Sequence, residues 1–241
     1  MALADILAAL FSARGTWTIA QGLIEGIGVL PDGVRVNILG VVEGAELGID
    51  NIAVIAGRAL AIARLRDRAP ILVLVHSGGQ RMSKRDELLG LSEYLAHLAK
   101  ALMLAEYAGH RTIGLLYGGS AAGAFIATAL ATNMLVALPS AYPSVMDLPA
   151  MARVTKIPLT VLKAKARSTA VFAPGLANMI KVGAIVEEWD PGKSLAAQFA
   201  TLLSMPPKDL DHRDQLGETR RGRMKAAALA ARVADLACTD G

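Results

Sequence analysis

A chain of 241 residues with 54% hydrophobic and only 4% aromatic residues has ample material for a core of Ala, Leu, Val and Ile. Its net charge of +4 is modest, no Lys/Arg run is dense, and stacking aromatics are scarce, which argues against a nucleic-acid partner. The single cysteine, Cys238, has no internal disulfide partner and fits a reducing cytoplasm.

The N-terminal Met1-Ala2-Leu3-Ala4-Asp5 lacks the basic start of a secretory signal. The first third then reads as β-rich. Residues 16–20, 27–30 and 34–42 are strand-like, and Pro31-Asp32-Gly33 joins the last two in a hairpin. From Asp50, an expected N-cap, the spacing of Ile52, Ile55, Ala56, Ala59, Leu60 and Ala63 predicts a helix. Ile71-Leu72-Val73-Leu74-Val75 is an apolar run typical of a strand covered on both faces.

That strand is expected to end in a glycine turn, His76-Ser77-Gly78-Gly79-Gln80-Arg81, followed by a helix from about Ser83 to Ala108. A second strand, Thr112 to Tyr117, leads into Gly118-Gly119-Ser120-Ala121-Ala122-Gly123 and a further helix ending near Ala131. Two βα units therefore follow one another, each with a glycine-rich turn at the carboxyl end of its strand, where open α/β sheets bind ligands. The uncharged stretch 121–138 is long enough for a membrane span. Asn133 interrupts it and Pro139 follows, so a buried helix and the strand 134–138 account for it better, with no membrane span.

Beyond Pro139 helices dominate, at 146–154, 159–167 and from Pro174-Gly175 through Lys181. Residues 182–189 read as a glycine turn entering a strand, with Glu187-Glu188 at a solvated end. A helix over 194–203 is expected to end at Pro206-Pro207, and a last amphipathic helix spans 218–237 with a basic first half.

The 118–123 turn offers almost no side-chain chemistry, so its resource is backbone. Glycine permits positive φ and close ligand approach, and free N–H groups at a helix start suit a phosphate or an oxyanion. The turn lacks the G-K-[S/T] of a P-loop and the spacing of a dinucleotide fingerprint, and Ala122 stands where a nucleophile elbow needs glycine. Small residues that let a helix pack on its strand are the plain alternative. A hydrolase would use Ser120 or Ser77 with His76, yet no acid is marked to orient the histidine. No paired His or Cys spacing supports a metal, and Arg81, Lys84 and Arg85 read as a solvent-facing basic turn rather than a phosphate site.

The residues 73–81, the long helix after them and 117–124 together resemble the carboxyltransferase branch of the crotonase superfamily. The His-Ser-Gly-Gly-Gln-Arg segment and Ser144-Val145-Met146 resemble more narrowly the gamma subunit of biotin-independent malonate decarboxylase, related to the alpha half of acetyl-CoA carboxyltransferase. The resemblance runs from the β-rich start to Glu187.

It implies an α/β fold of the crotonase-like (ClpP/crotonase) type, a spiral of ββα units over 1–140 with a mostly helical C-terminal part, 141–241, in a single domain. It implies a homologous beta subunit sharing the active site, together with an acyl carrier protein and an acyltransferase alpha subunit. The substrate would be a malonyl thioester on the carrier's phosphopantetheine-type, dephospho-CoA-derived group, losing CO2 to give the acetyl thioester. No cofactor would be bound by this chain alone. Backbone N–H groups of Gly78, Gly79, Gly119, Ser120 and Ala121 would act as oxyanion or carboxylate donors, with Ser77, Gln80, Tyr117, Gly118 and Gly123 lining the substrate. A non-catalytic scaffold subunit and a carboxyltransferase subunit moving CO2 to biotin are the alternatives. A free-standing crotonase-type hydratase lacks the acidic pair it needs.

Overall fold

A helix not expected from the sequence opens the chain. In the computed structural model, which describes residues 1–12, 14–170, 173–205 and 211–239, α1 (Leu3–Phe11) buries Leu3, Ile6, Leu7, Leu10 and Phe11. That spacing places one apolar stripe on the core. The β-rich region follows as β1 (Gly15–Ala20), β2 (Leu23–Val29) and β3 (Arg35–Leu47), an antiparallel meander with the hairpin at Pro31-Asp32-Gly33.

From β3 onward the sheet is parallel. After α2 (Ile49–Ala63) the chain enters β4 (Ile71–Gln80), β5 (Thr112–Leu116), β7 (Met134–Ala137) and β9 (Glu187–Glu188), in the order β1-β2-β3-β4-β5-β7-β9. A second, two-stranded sheet pairs β6 (Gly119–Ala121) with β8 (Tyr142–Ser144) in parallel. The strand β9, from the helical C-terminal part, sits beside β7, so that part completes the edge of the main sheet. The unbroken apolar run of β4 is buried on both faces, as its sequence predicts. Val73 and Val75 pack with α2, α4 (Leu91–Tyr107) and α5 (Ala122–Ala127) in one core. Leu72 and Leu74 pack with α1 and α9 (Leu195–Ser204) in the other.

Several expectations need correction. The helix over 83–108 is two, α3 (Lys84–Leu88) and α4, because Gly90 takes φ +86° and turns the chain between them. Asp50 lies inside the first turn of α2, whose N-cap is Gly48, and its carboxylate is turned out to Arg85. The helix after the second glycine segment ends at Ala127 rather than Ala131. The last helix, expected from Glu218, begins only at α11 (Ala226–Thr239), and a separate short helix, α10 (Arg213–Thr219), precedes it.

The break between them has a structural use. Arg220, expected in the basic first half of the last helix, donates to the Ile180, Ile185 and Val186 carbonyls, pinning α8 (Leu176–Lys181) to the approach of β9. Arg111 does the same for α9 through the Leu203 and Met205 carbonyls. Cations suit these carbonyl-rich helix ends. The hairpin of α6 (Leu148–Thr155) and α7 (Leu159–Ser168) falls where the sequence places it. Pro206-Pro207, the expected stop of α9, lies outside the described residues. Among the described residues no helix is long and apolar enough to cross a membrane.

Candidate functional site

The two glycine segments meet at the carboxyl end of the sheet, and both differ from the turns expected. Residues 76–80 are not a turn: β4 continues through them, pairing Ser77, Gly79 and Gln80 with Ala45, Glu46 and Leu47 of β3. The pairing survives because β3 bulges at Glu43-Gly44, both at positive φ, which resets its register. Residues 119–121 form the strand β6, and only at Ala122 does the chain turn into α5.

Side-chain alternation along β4 sends Ser77 and His76 to opposite faces. Ser77, 4% exposed, bonds its hydroxyl to that of Ser120, 2% exposed, at 2.8 Å. Three residues on, the Gln80 side-chain oxygen accepts from the Gly123 N–H at 3.0 Å. Each bond joins residues 43 apart in the sequence. The segments 77–80 and 120–123 therefore run side by side in register, with Gly78-Gly79 opposite Ala121-Ala122 between two ties.

The glycines serve space more than torsion. Among those of the two segments only Gly79 has positive φ, at +105°, while the alanine at 122 takes +51°. At Gly118 a Cβ would stand 2.4 Å from ring carbons of His76. At Gly123 it would meet Gln80 Oε1 at 2.4 Å and Leu95 Cδ1 at 2.7 Å. At Gly119 its nearest neighbour would be the Ser77 carbonyl at 3.8 Å, so nothing in the chain itself demands glycine there. Space is thus left beside the Gly119 backbone.

The helix-end donors expected of this segment are reduced. The helix α5 has only six residues, and its Gly123 N–H is already bonded by Gln80. The hydrolase arrangement is absent too: Ser77 and Ser120 bond each other, and among the described residues the His76 ring has no hydrogen-bond partner. The His76 ring instead packs edge-on to Tyr117, centroids 5.3 Å apart at 84°, and covers Gly118. The Tyr117 hydroxyl accepts from the Glu43 N–H at 3.4 Å, and burial pushes its pKa up to about 12. Tyr117 thus props the β3 bulge from behind rather than lining an open cleft.

All ten candidate residues are brought together, but in distinct roles. Ser77, Ser120, Gln80 and Gly123 make the ties, Tyr117 and Gly118 back them with His76, and Gly78, Gly79, Gly119 and Ala121 present backbone. A further residue lies opposite Ala121: Ser144 of β8, 5% exposed, whose hydroxyl has no partner among the described residues. Its motif was visible in the sequence, but its place beside Ala121 comes from the β6–β8 pairing, which leaves no local signal.

The two arginines after β4 are engaged. Arg81 donates to Asn51 Oδ1, and Arg85 bonds Asp50 at 2.9 and 3.2 Å, holding that carboxyl below its ordinary range. Buried Asp86 takes a bond from Arg85 and lies against Gly48. This network braces α2 and α3 to the end of β4 and leaves neither arginine as a free phosphate ligand. Likewise His110, fully buried, faces the Ala69 and Leu65 carbonyls with its two ring nitrogens and is a core residue. Among the described residues no His/Cys/Asp/Glu group has a metal-binding arrangement. A cleft of about 430 Å3 between α2 and the meander is lined by Trp17, Asn37 and Leu65 and by none of the ten.

With this geometry in hand, the similarities are informative. Residues 42–237 match the family model described as malonate decarboxylase gamma subunit. The malonyl-S-ACP:biotin-protein carboxyltransferase MADD of Malonomonas rubra is 28% identical over 171 residues, 66% of this chain. The match covers 59% of that relative's length. A chain of a Pseudomonas malonate decarboxylase hetero-tetramer in complex with coenzyme A is 26% identical over 98% of both chains, with a TM-score of 0.74. A chain of a Pseudomonas MdcD-MdcE hetero-dimer is 26% identical over 96% of this chain and 97% of its own, with a TM-score of 0.71. A transcarboxylase 12S chain, 16% identical, shares the fold over 86% of this chain and 42% of its own, with a TM-score of 0.67. The crotonase-like architecture expected from the sequence is the architecture found.

Proposed function

Because the chain belongs to the malonate decarboxylase gamma-subunit family, we propose that it forms one side of a decarboxylation site completed by a homologous beta subunit. The substrate is a malonyl thioester on an acyl carrier protein, and the products are the acetyl thioester and CO2. The observation that carries this reading is the pair of tied segments, which presents main chain at Gly78-Gly79 and Gly119-Ala121 with no nucleophile or acid–base pair between them.

Decarboxylation asks for that kind of site. The C–C bond to the carboxylate breaks, its electron pair enters the thioester as an enolate, CO2 leaves, and the enolate carbon takes a proton. The charge that develops is on oxygen, so preorganised N–H donors stabilise the transition state more than the ground state. One such donor is typically worth about 3–4 kcal/mol. The two ties fix the donors' positions before substrate arrives, so no reorganisation is needed at the moment of reaction.

Gly119→Ala tests the reading. Its new Cβ meets nothing closer than 3.8 Å within the chain, so folding and assembly persist while the methyl occupies the space beside the backbone. Turnover of the assembled complex is expected to drop at least tenfold, on the order of 1.4 kcal/mol. Wild-type turnover would instead support a second reading, a scaffold subunit whose partner does the chemistry. That reading is favoured by one observation, the Gly123 N–H already filled by Gln80. The name of the Malonomonas relative raises a biotin-linked variant of the reaction. Avidin inhibition of the assembled complex would distinguish it.

A further inference from the structure

The 39 residues from Leu148 to Val186 contain six cations, Arg153, Lys156, Lys163, Lys165, Arg167 and Lys181, and no Asp or Glu. The segment carries +6 and leaves −2 on the rest of the chain. Five of the six stand on the α6–α7 hairpin, all exposed, and among the described residues none of the six has an ion-pair partner. Elsewhere the chain pairs its arginines readily, as at Arg58, Arg85 and Arg213. Helix macrodipoles account for Arg153, Lys165 and Arg167 at last turns. They do not account for the missing acids, nor for Lys163 and Arg167 repelling each other four residues apart.

The core does not dictate this pattern either. The helix α6 has no buried residue and α7 has only Leu162. Interleaved with the cations are exposed apolar side chains, Val154 at 68%, Val161 at 41% and Ile157 at 37%. Apolar anchors with a charged surround are the composition of a macromolecular contact. The cations are spread over two helices rather than converging on one buried point, so a small polyphosphate finds no pocket. No aromatic residue lies between Leu148 and Ala170 for base stacking.

Position completes the argument. The hairpin begins four residues after Ser144, whose strand β8 pairs with β6 of the glycine site. We propose that the α6–α7 hairpin is the landing surface for an acidic protein that brings its thioester arm to that site. This rests on the carrier-bound substrate of the preceding subsection. Complementary charge of this kind steers encounter and holds register while leaving the chemistry alone.

The test uses the assembled complex carrying Lys163→Glu, Lys165→Glu and Arg167→Glu together, with melting and size checked against wild type. Two substrates are compared: malonyl thioester on the intact acidic carrier protein, and the malonyl thioester of N-acetylcysteamine. The reversal is expected to lower kcat/KM for the carrier-bound substrate at least tenfold at low salt. It should also flatten that substrate's salt dependence and leave the small thioester unchanged. Opposite charge reversals on the carrier should restore the loss.

Unchanged kinetics and salt dependence on carrier-bound substrate would overturn the landing surface while leaving the decarboxylation reading intact. If the wild-type complex processes neither thioester, that reading fails, and calorimetric titration of the carrier protein into the two complexes still decides docking. Loss of binding to anionic phosphatidylserine vesicles with carrier kinetics unchanged would assign the hairpin to a membrane surface and refute the proposal.

Discussion

The tied glycine segments and the α6–α7 hairpin lie close in the chain and are opposites in construction. In the first, buried and half-buried polar side chains are committed to internal bonds: Ser77 to Ser120, Gln80 to Gly123. In the second, two helices and their link supply one buried residue and five cations without an ion-pair partner among the described residues. Folding sets the geometry of the glycine site without outside help, whereas the hairpin's surface has meaning only against something else. Mutations should therefore cost stability in one region and interaction in the other.

The sharpest blow to the first region is Gly118→Ala. Its methyl would stand 2.4 Å from the His76 ring, which Tyr117 blocks from the side. Overpacking of this kind costs about 1–3 kcal/mol, measured by denaturant unfolding, and turnover of the complex should fall with it. A neutral Gly118→Ala would show that the His76–Gly118 contact is slack and that the region is not preset. Ser77→Ala and Ser120→Ala each leave a buried hydroxyl unpaired and should cost about 1–3 kcal/mol. The double variant should cost clearly less than the two added, because no orphan remains. Strict additivity would break the claim that the two hydroxyls form one tie.

The sequence made β3, β4, β5 and β7 legible, because apolar runs such as 71–75 have one reading when both faces are covered, but neither the order of strands in the sheet nor β6 and β8. It also showed that two glycine segments recur at strand ends. It concealed what the glycines are for. Positive φ at a helix start, close ligand approach and helix packing were the expected uses, but Gly118 and Gly123 make room for the side chains of His76 and Gln80. No local pattern says which side chain from 43 residues away will need that room. The breaks at Gly90 and before α11 were hidden for a similar reason: periodicity continues across them, and tertiary bonds, such as those of Arg220, decide where the helix stops. The six cations without an acid were there to be read from the start, but only exposure and missing partners distinguish a contact surface from an ordinary solvated face.

A smaller effect sharpens the contrast from inside the site. Ala122 holds φ +51° where glycine is at ease, so Ala122→Gly should stabilise the chain by about 1 kcal/mol. A loss of stability would mean that the turn into α5 is not strained. In the hairpin the corresponding prediction is near silence. Val154→Ser, at a side chain 68% exposed, should change unfolding free energy by no more than about 0.5 kcal/mol. A cost of about 2 kcal/mol or more would place the hairpin in the core after all and erase the distinction.

The last effect vanishes at neutral pH and so isolates the buried wall behind the site. Burial raises the Tyr117 pKa to about 12, against about 10 in an unfolded chain. Below pH 10 both states keep the phenol proton and Tyr117 adds no pH dependence. Between 10 and 12 the unfolded chain releases the proton while the folded chain retains it, so the unfolded state binds fewer protons and stability falls as pH rises. Above 12 both states have released it and this contribution levels off. Tyr117→Phe removes the group, so its unfolding free energy should decline less steeply than wild type across that window, whatever constant offset the lost Glu43 bond introduces. Parallel slopes for the two proteins would mean that the hydroxyl is hydrated in the folded state. The prop behind the β3 bulge would then be open to water, and the glycine site would lose the dry, preset backing that separates it from the hairpin.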